Sequence, residues 1–567
     1  MEPTTSKNDE QLIIKDFFKD LDNFQQVNLD DRNTINDIYS NYVGRIKETT
    51  PEDRSKSKEN TNKLRTEVAY IVPSIFSGQP ELEVEGIGEE DADLAKIVEK
   101  ILNHRLENIP QVYEKIEAWV KQAVVFGTSL IRVCWKFETK NNDDGTETPI
   151  KDEPDLDVPN ILDCYYNPLI ADVDNQSALI FRAQLSLDEV KNNPAYDYQG
   201  SLGLNRERVE SKGNQSSSKY DSSFQASNDS VNLKNAAVGT VDIYEQISKD
   251  KILTIADGKE RLVLRDTQNP YGIHTSVKLI HEPNCIPNRF NGFGVGHNTL
   301  GLGKLYNKMM NRTIDNVNLT NNPFFVVAQG KVLDKKQLVV KTGGMLEIET
   351  DGRPLSESVQ TVQFPDIKQG AISVMDKIED EHKRASGAND LVQGSASNKT
   401  LGQDQIASTY SSNRFELINR RFKYALADLA NIILKMELQN LQSPDAEILK
   451  IFPDQLDTGQ VDQKGQPIMQ SGIRQQIYKL MINQAKDVKF NIKVKGATNV
   501  AKNKDVQIKQ MIEAYNLFGA VLPPENQMEW AKKILELRGI DEIDKLIPSA
   551  EQLKQMQAMQ QPMQPQM

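Results

Sequence analysis

The first hundred residues alternate apolar and polar positions at spacings of three and four, the period of a helix with one buried face. Ile35, Ile38, Tyr39, Tyr42 and Val43 form such a stripe, with Asp, Asn and Lys elsewhere on the surface. The pattern predicts helices over about 11–27, 31–48 and 58–72, the last interrupted by Pro73, and two more over 91–108 and 111–126, separated by Pro110. Between the two groups, LEVEG at 82–86 alternates with a period of two, which predicts a short strand.

From Thr128 the pattern changes. TSLIRVCWKF at 128–137 is rich in β-branched and aromatic residues, and similar short runs recur at 178–184, 238–247, 251–256, 261–266 and 277–281, predicting a mixed sheet region. The polar stretch NNDDGTETPIKDEPD at 141–155 reads as a turn between strands. Residues 197–235, dominated by Ser, Asn, Gln, Gly and charge, read as a flexible insertion with too little apolar surface to fix itself.

Helical spacing returns at 301–320 and 371–385, with the strand-like FFVVAQ and VLDKKQLVV between them. After a Gly/Ser-containing loop, a helix is predicted over 402–439. Its stripe of Phe415, Ile418, Phe422, Ala425, Leu426, Leu429, Ala430, Ile433 and Leu434 suggests a spine of about 50 Å at about 1.5 Å per residue. Beyond 440 the chain reads as a small mixed region: ILKIF, a polar turn, a helix at 472–484, the strand VKFNIKVKG at 488–496 and helices at 501–518 and 525–547. A Gln/Met-rich flexible tail is expected from 551 to 567.

Composition narrows the function. The chain has 567 residues, more than one core usually organises, and no apolar run long enough for a membrane span. MEPTTSKNDEQ has neither the basic start nor the apolar run of an export signal, so synthesis in the cytoplasm is expected. A net charge of -13 argues against a protein that grips nucleic acid by neutralising many phosphates, while leaving room for local basic contacts. Cys134, Cys164 and Cys285 lack CxxC spacing and read as buried thiols.

Catalytic signatures are missing from the sequence. GFGVG at 292–296 lacks the strand and spacing of a dinucleotide loop and reads as a tight backbone passage into the following helix. There is no GxxxxGK[ST] phosphate cradle, no HExxH and no GxSxG elbow, so neither a motor ATPase, a zinc hydrolase nor a serine hydrolase is indicated. No cofactor is expected. The feature of most interest is the loop at 384–405, where Lys383, Arg384 and Lys399 flank small polar residues including Asn389, Gln393 and Ser395. Small polar residues permit close approach to a rod-like ligand, and sparse cations meet phosphates transiently. An ordinary exposed hinge would have the same composition.

Several stretches in order resemble the portal proteins of tailed phages, in particular those of short-tailed podoviruses. They are NTNKLRTEVAYIVPSIFSGQPELEVEG at 60–86, FGTSLIRVCWKF at 126–137, ILDCYYNPLIADVDN at 161–175, NGFGVGHNTLGLGKLYNKMMNRTIDNVNLTNNPFFVVAQGKV at 291–332, and the helix, RASGANDLVQG turn and long helix of 371–439. The resemblance covers about 30–440 and implies a structural protein rather than an enzyme. The fold it implies is a radial ring, typically a dodecamer, of subunits with a mixed α/β wing, long helical stem and tunnel elements and a mainly helical crown. It places the wing at 1–290, the stem and clip at 291–370, the tunnel loop and spine at 371–440 and a crown-like region at 441–550. The implied site is the virion's portal vertex, with assembly in the host cytoplasm. The implied partners are further copies of the chain, double-stranded DNA, the large terminase, the major capsid or scaffold protein and a tail adaptor, with no membrane. Lys383, Arg384, Asn389, Gln393, Ser395 and Lys399 are then candidates for the channel constriction. The alternative is another head-tail adaptor or capsid protein without a DNA-translocating tunnel.

Overall fold

In a computed structural model, the described residues are 7–44, 57–76, 80–86, 91–141, 147–186, 240–257, 261–321, 324–327, 359–362, 369–388, 401–444, 446–453, 455–461, 467–485, 490–495 and 524–537, with a few single positions between them. The insertion expected at 197–235, the run VLDKKQLVV and the tail at 551–567 lie outside them. The chain divides into two units, Met1–Ile75 with Glu81–Val494, and Phe76–Pro80 with Lys495–Met567.

The larger unit opens with helices α1 (Lys7–Val27), α2 (Leu29–Val43) and α3 (Lys63–Ile75). The second stops five residues earlier than its apolar spacing suggests. Gly44, at φ 85, turns left-handed there and its N–H donates to the carbonyls of Ser40 and Asn41, closing the helix. Pro73 lies inside α3 without ending it. It sits in the last turn, where only one backbone hydrogen bond is forfeited, and the Ser74 hydroxyl donates to Tyr70 O over 3.1 Å in the same turn.

Strand β1 (Glu81–Gly86), helices α4 (Ala92–Asn108) and α5 (Val112–Phe126), and strands β2 (Thr128–Asn141) and β3 (Glu147–Asp157) follow. The polar run expected to be a turn is therefore largely a strand, paired with β2 from Asn141–Glu147 to Arg132–Asp157. Its prolines, Pro149 and Pro154, are tolerated because β3 is an edge of the three-stranded sheet β3-β2-β9, where β9 is Ser276–Ile280. An antiparallel five-stranded sheet runs in simple order through β4 (Cys164–Tyr165), β5 (Leu179–Ser186), β6 (Thr240–Ile247), β7 (Lys251–Asp257) and β8 (Arg261–Gln268).

Phe17, Phe18 and Leu21 of α1 cover one face of this sheet, against Tyr165, Ile180, Tyr244, Leu253 and Ile255. A second cluster joins Ile35 of α2 to Leu130 of β2, Leu179 and Phe181 of β5, and Phe290. Cys164 belongs to that cluster, and Cys134 is half-buried, with burial pushing its thiol up to about 11. Cys285 is exposed, against the expectation for a thiol, because it sits in the proline-flanked loop after β9.

Helix α6 (Val295–Asn321) leaves this sheet-bearing part and passes into strand β10 (Phe324–Val327), which pairs antiparallel with β11 (Val359–Val362). Helix α7 (Gln369–Ser386) returns beside α6, and α8 (Leu401–Asn440), about 60 Å long at about 1.5 Å per residue, follows. All nine members of the predicted α8 stripe are buried, with Phe422, Leu426, Leu429 and Ile433 wholly inaccessible. A hairpin of β12 (Gln455–Val461) and β13 (Pro467–Ser471), helix α9 (Ile473–Leu480) and strand β14 (Phe490–Lys495), which pairs with β1, complete the unit. In the smaller unit the described helix is α10 (Pro524–Leu537).

Candidate functional site

The base of α6 is fixed by backbone packed on backbone. A Cβ on Gly294 would stand 2.5 Å from the Gly127 nitrogen and 2.6 Å from the Val124 oxygen; one on Gly292 would stand 2.3 Å from the Glu282 oxygen. Gly127, at φ 86, ends α5 and faces Gly292 in turn. GFGVG is thus the tight passage expected of it, built so that α6 emerges directly against the end of α5. Beside it lies an open cleft of about 350 Å³ lined by Asp31, Ile35, Phe126, Asn291, Phe293 and His297 among others. Two of its polar groups are occupied within the protein: Asn291 Nδ2 donates to Asp31 over 2.7 Å, and Tyr166 OH donates to Asn291 Oδ1 over 2.6 Å.

The α6/α7 hairpin is tied to α3 by polar side-chain contacts. His382 Nδ1 donates to Glu67 Oε1 over 2.7 Å with both side chains buried, at 1% and 5% exposure. Lys63 Nζ lies 2.7 Å from Glu379 on α7 and 3.7 Å from the ring centre of Tyr306 on α6. The Lys63 hydrogen bond holds the Glu379 carboxyl below the usual carboxylate range. Sequence reading missed the Glu67–His382 pair. Its signal is a carboxylate on the apolar face of α3, among the buried Leu64, Val68 and Ile71.

The candidate channel residues begin at the last turn of α7. Lys383 is half-buried and stands 3.9 Å from Glu379, so its charge is shared with the Lys63–Glu379 pair. Arg384 is 75% exposed and lies 3.0 Å from Glu381. Exposed pairs of this kind hold weakly, about 0–1 kcal/mol, so Arg384 can trade a carboxylate for another anion at little cost. Gly387, at φ 83, closes the helix by donating to Lys383 O over 3.0 Å, and Ser386 Oγ donates to the same carbonyl over 3.1 Å and accepts from Ala388 N–H over 3.2 Å. Asn389, Gln393, Ser395 and Lys399 lie outside the described residues.

Residues 389–400 join α7 to a helix that is also anchored. Arg105 of α4 meets Glu437 of α8 at 2.5 Å, with side chains 7% and 6% exposed, and stands 3.8 Å from Glu153 of β3. Trp119 of α5 packs on Phe422 with ring centres 6.0 Å apart, and the Arg421 guanidinium donates to the carbonyl of His281.

Among the described residues, no group of three or more His, Cys, Asp or Glu is placed to hold a metal ion, and no helix is long and apolar enough to cross a membrane. No curated protein matches the sequence. A protein-family model described as phage SU10 portal protein matches residues 19–155 and, overlapping them, 146–457, together well over half of the chain. The matched span carries both larger sheets, the α6/α7 hairpin and the whole of α8. The chain belongs to the phage SU10 portal protein family.

Proposed function

We propose that copies of this chain close into a ring, a dodecamer by the family resemblance, at one vertex of a phage capsid, and that double-stranded DNA is packaged and ejected through its centre. The family match over most of the chain carries this reading. In it the role is structural: the terminase supplies force, and the ring supplies a coaxial passage and docking surfaces for terminase, for capsid or scaffold protein and, later, for a tail adaptor. The sheets and their helices act as the wing, α6 with β10 and β11 as the stem and clip, α7 with 389–400 and α8 as the tunnel-loop region and spine, and the region after 441 as the crown.

The net charge of -13 supports a passage that does not hold its cargo. A mostly acidic surface disfavours lasting phosphate contacts, and a few cations repeated around an axis guide a duplex that one copy could not confine. Lys383, Arg384 and Lys399 fit that role, with Asn389, Gln393 and Ser395 as small polar neighbours that let the duplex pass closely.

A photo-crosslinking side chain placed at Ser395 tests this reading. In DNA-filled particles it should attach to DNA, while the same group at Leu12, on α1, should not. Equal labelling from both positions, or none from Ser395 in filled particles, contradicts it.

A further inference from the structure

The backbone of residues 57–61 runs along α6, and the contacts are periodic. The N–H of Ser57 donates to Asp315 Oδ1 over 2.8 Å, that of Glu59 to Asn311 Oδ1 over 2.8 Å and that of Thr61 to Asn307 Oδ1 over 3.3 Å. Asn311 Nδ2 donates back to Glu59 O over 3.0 Å, so the middle rung grips both polar groups of one residue. Alternate amides of the strap thus meet every fourth residue of the helix, in opposite directions along the chain.

The spacing explains both the fit and its limit. Two residues of extended chain advance about 6.7 Å, and four residues of α-helix advance about 6.0 Å. The mismatch of about 0.7 Å per rung is absorbed over three rungs. It falls on the Thr61 end, where the bond is longest and the Thr61 hydroxyl adds a 3.0 Å bond to the same Asn307 oxygen.

We infer that Asn307, Asn311 and Asp315 form a binding site for extended polypeptide main chain, filled by the chain's own residues 57–61 as a brace across the α6/α7 hairpin. The rungs address the backbone amides of 57, 59 and 61 and one carbonyl, so the site selects an extended conformation with free N–H groups at alternate positions. Side-chain identity enters at Thr61 and at Asn60, whose Oδ1 accepts from Asn307 Nδ2 over 3.1 Å. The brace then continues into α3, where Lys63 meets Glu379 and Tyr306 and Glu67 meets His382. One short segment therefore contacts both helices of the hairpin, α6 through the rungs and α7 through the Lys63–Glu379 and Glu67–His382 contacts. With α6 acting as part of the stem, which rests on the proposed function, the brace sets the stem's direction relative to the wing.

Hydrogen exchange on the intact chain tests the site. In the native protein the amides of Ser57, Glu59 and Thr61 should exchange slowly, and in N307L/N311L/D315L they should exchange at least tenfold faster while amides in α5 and α8 are unchanged. Asp315→Asn keeps a carbonyl oxygen for Ser57 and should exchange as the native protein does, whereas Asp315→Leu should release Ser57. Because the single substitutions alter one half-buried rung, they keep the test open should the triple variant not fold. Equal exchange at Ser57 in the native protein and in Asp315→Leu, or release by Asp315→Asn as complete as by Asp315→Leu, overturns the inference. Solution mass of the same samples reads ring formation separately, so failure of the brace and failure of the ring are distinguishable.

Discussion

Lys278 on β9 is a charge held by carbonyls. Its ammonium donates to Ala171 O and to Phe290 O, the latter over 3.4 Å, and stands 4.4 Å from the ring centre of Phe290. Burial lowers its pKa from 10.5 to about 8, against the opposing pull of Asp172. Between those values the unfolded chain binds the proton and the folded chain does not, so this residue makes stability rise with pH across the window and adds no pH dependence well below it. Denaturant midpoints taken between about pH 8 and pH 10.5 should rise less in Lys278→Met than in the native protein; parallel curves would show that the amine is not the source. Glu437 is the second buried charge with a clear consequence. Removing it by Glu437→Leu leaves Arg105 with the Asp152 carbonyl at 3.5 Å and the Glu153 carboxylate at 3.8 Å, and breaking a buried pair in this way costs about 3–5 kcal/mol. Arg105→Met/Glu437→Leu, which removes both charges, should lose less than the single substitution in equilibrium unfolding. Little of this was legible in the sequence. Lys278 stands in a run of strand formers, and Arg105 and Glu437 are separated by most of the chain, so burial and pairing arise only when α4, β3 and α8 meet. The exposed, paired state of Arg384 was likewise unreadable, because it depends on which face of α7 is left uncovered.

At the scale of elements, two glycines at and in α6 make opposite predictions. Gly294 precedes α6 with backbone atoms of Gly127 and Val124 where a Cβ would go, while Gly301, on the exposed face of the same helix, has nothing within 4 Å. Gly294→Ala should therefore unfold at a clearly lower temperature, because neither α5 nor the loop can yield a backbone atom cheaply. Gly301→Ala should gain about 0.5–1 kcal/mol from the entropy that Ala does not lose in a helix. Thermal unfolding of both, with the order reversed, would contradict the packing described for the foot of α6. Helices were the most legible elements, because their apolar stripes are set by one face. The α8 stripe could be read residue by residue, and the tight GFGVG passage was foreseen from its lack of a phosphate-loop context. Edges and ends were less legible. β3 hides in a polar, proline-bearing run that is a strand only because one of its sides needs no partner, and α2 stops at Gly44 through a left-handed turn that periodicity does not register. The rungs of α6 read as an ordinary polar face, since their period matters only once an extended segment lies on them.

For the whole molecule, family membership rests on a span that includes both larger sheets, the hairpin and the long helix, and it was legible through the order of several stretches rather than through any single motif. Charge makes a prediction at this scale. With a net charge of -13, a ring whose wall is mostly acidic should bind free duplex weakly and lose that binding further as salt is raised, since the few cationic contacts are the ones screened. Lys383→Ala/Arg384→Ala rings should show a shallower salt dependence in a filter-binding titration; an unchanged slope would place the contacts elsewhere. The central claim is closure around an axis. Imaging of the purified full-length chain by electron microscopy, with its mass measured in solution, addresses that claim most directly. A wide ring with an axial opening between the 371–439 segments of neighbouring copies is the result predicted, and a compact monomer, or a ring whose axis is filled by a packed core, would contradict it.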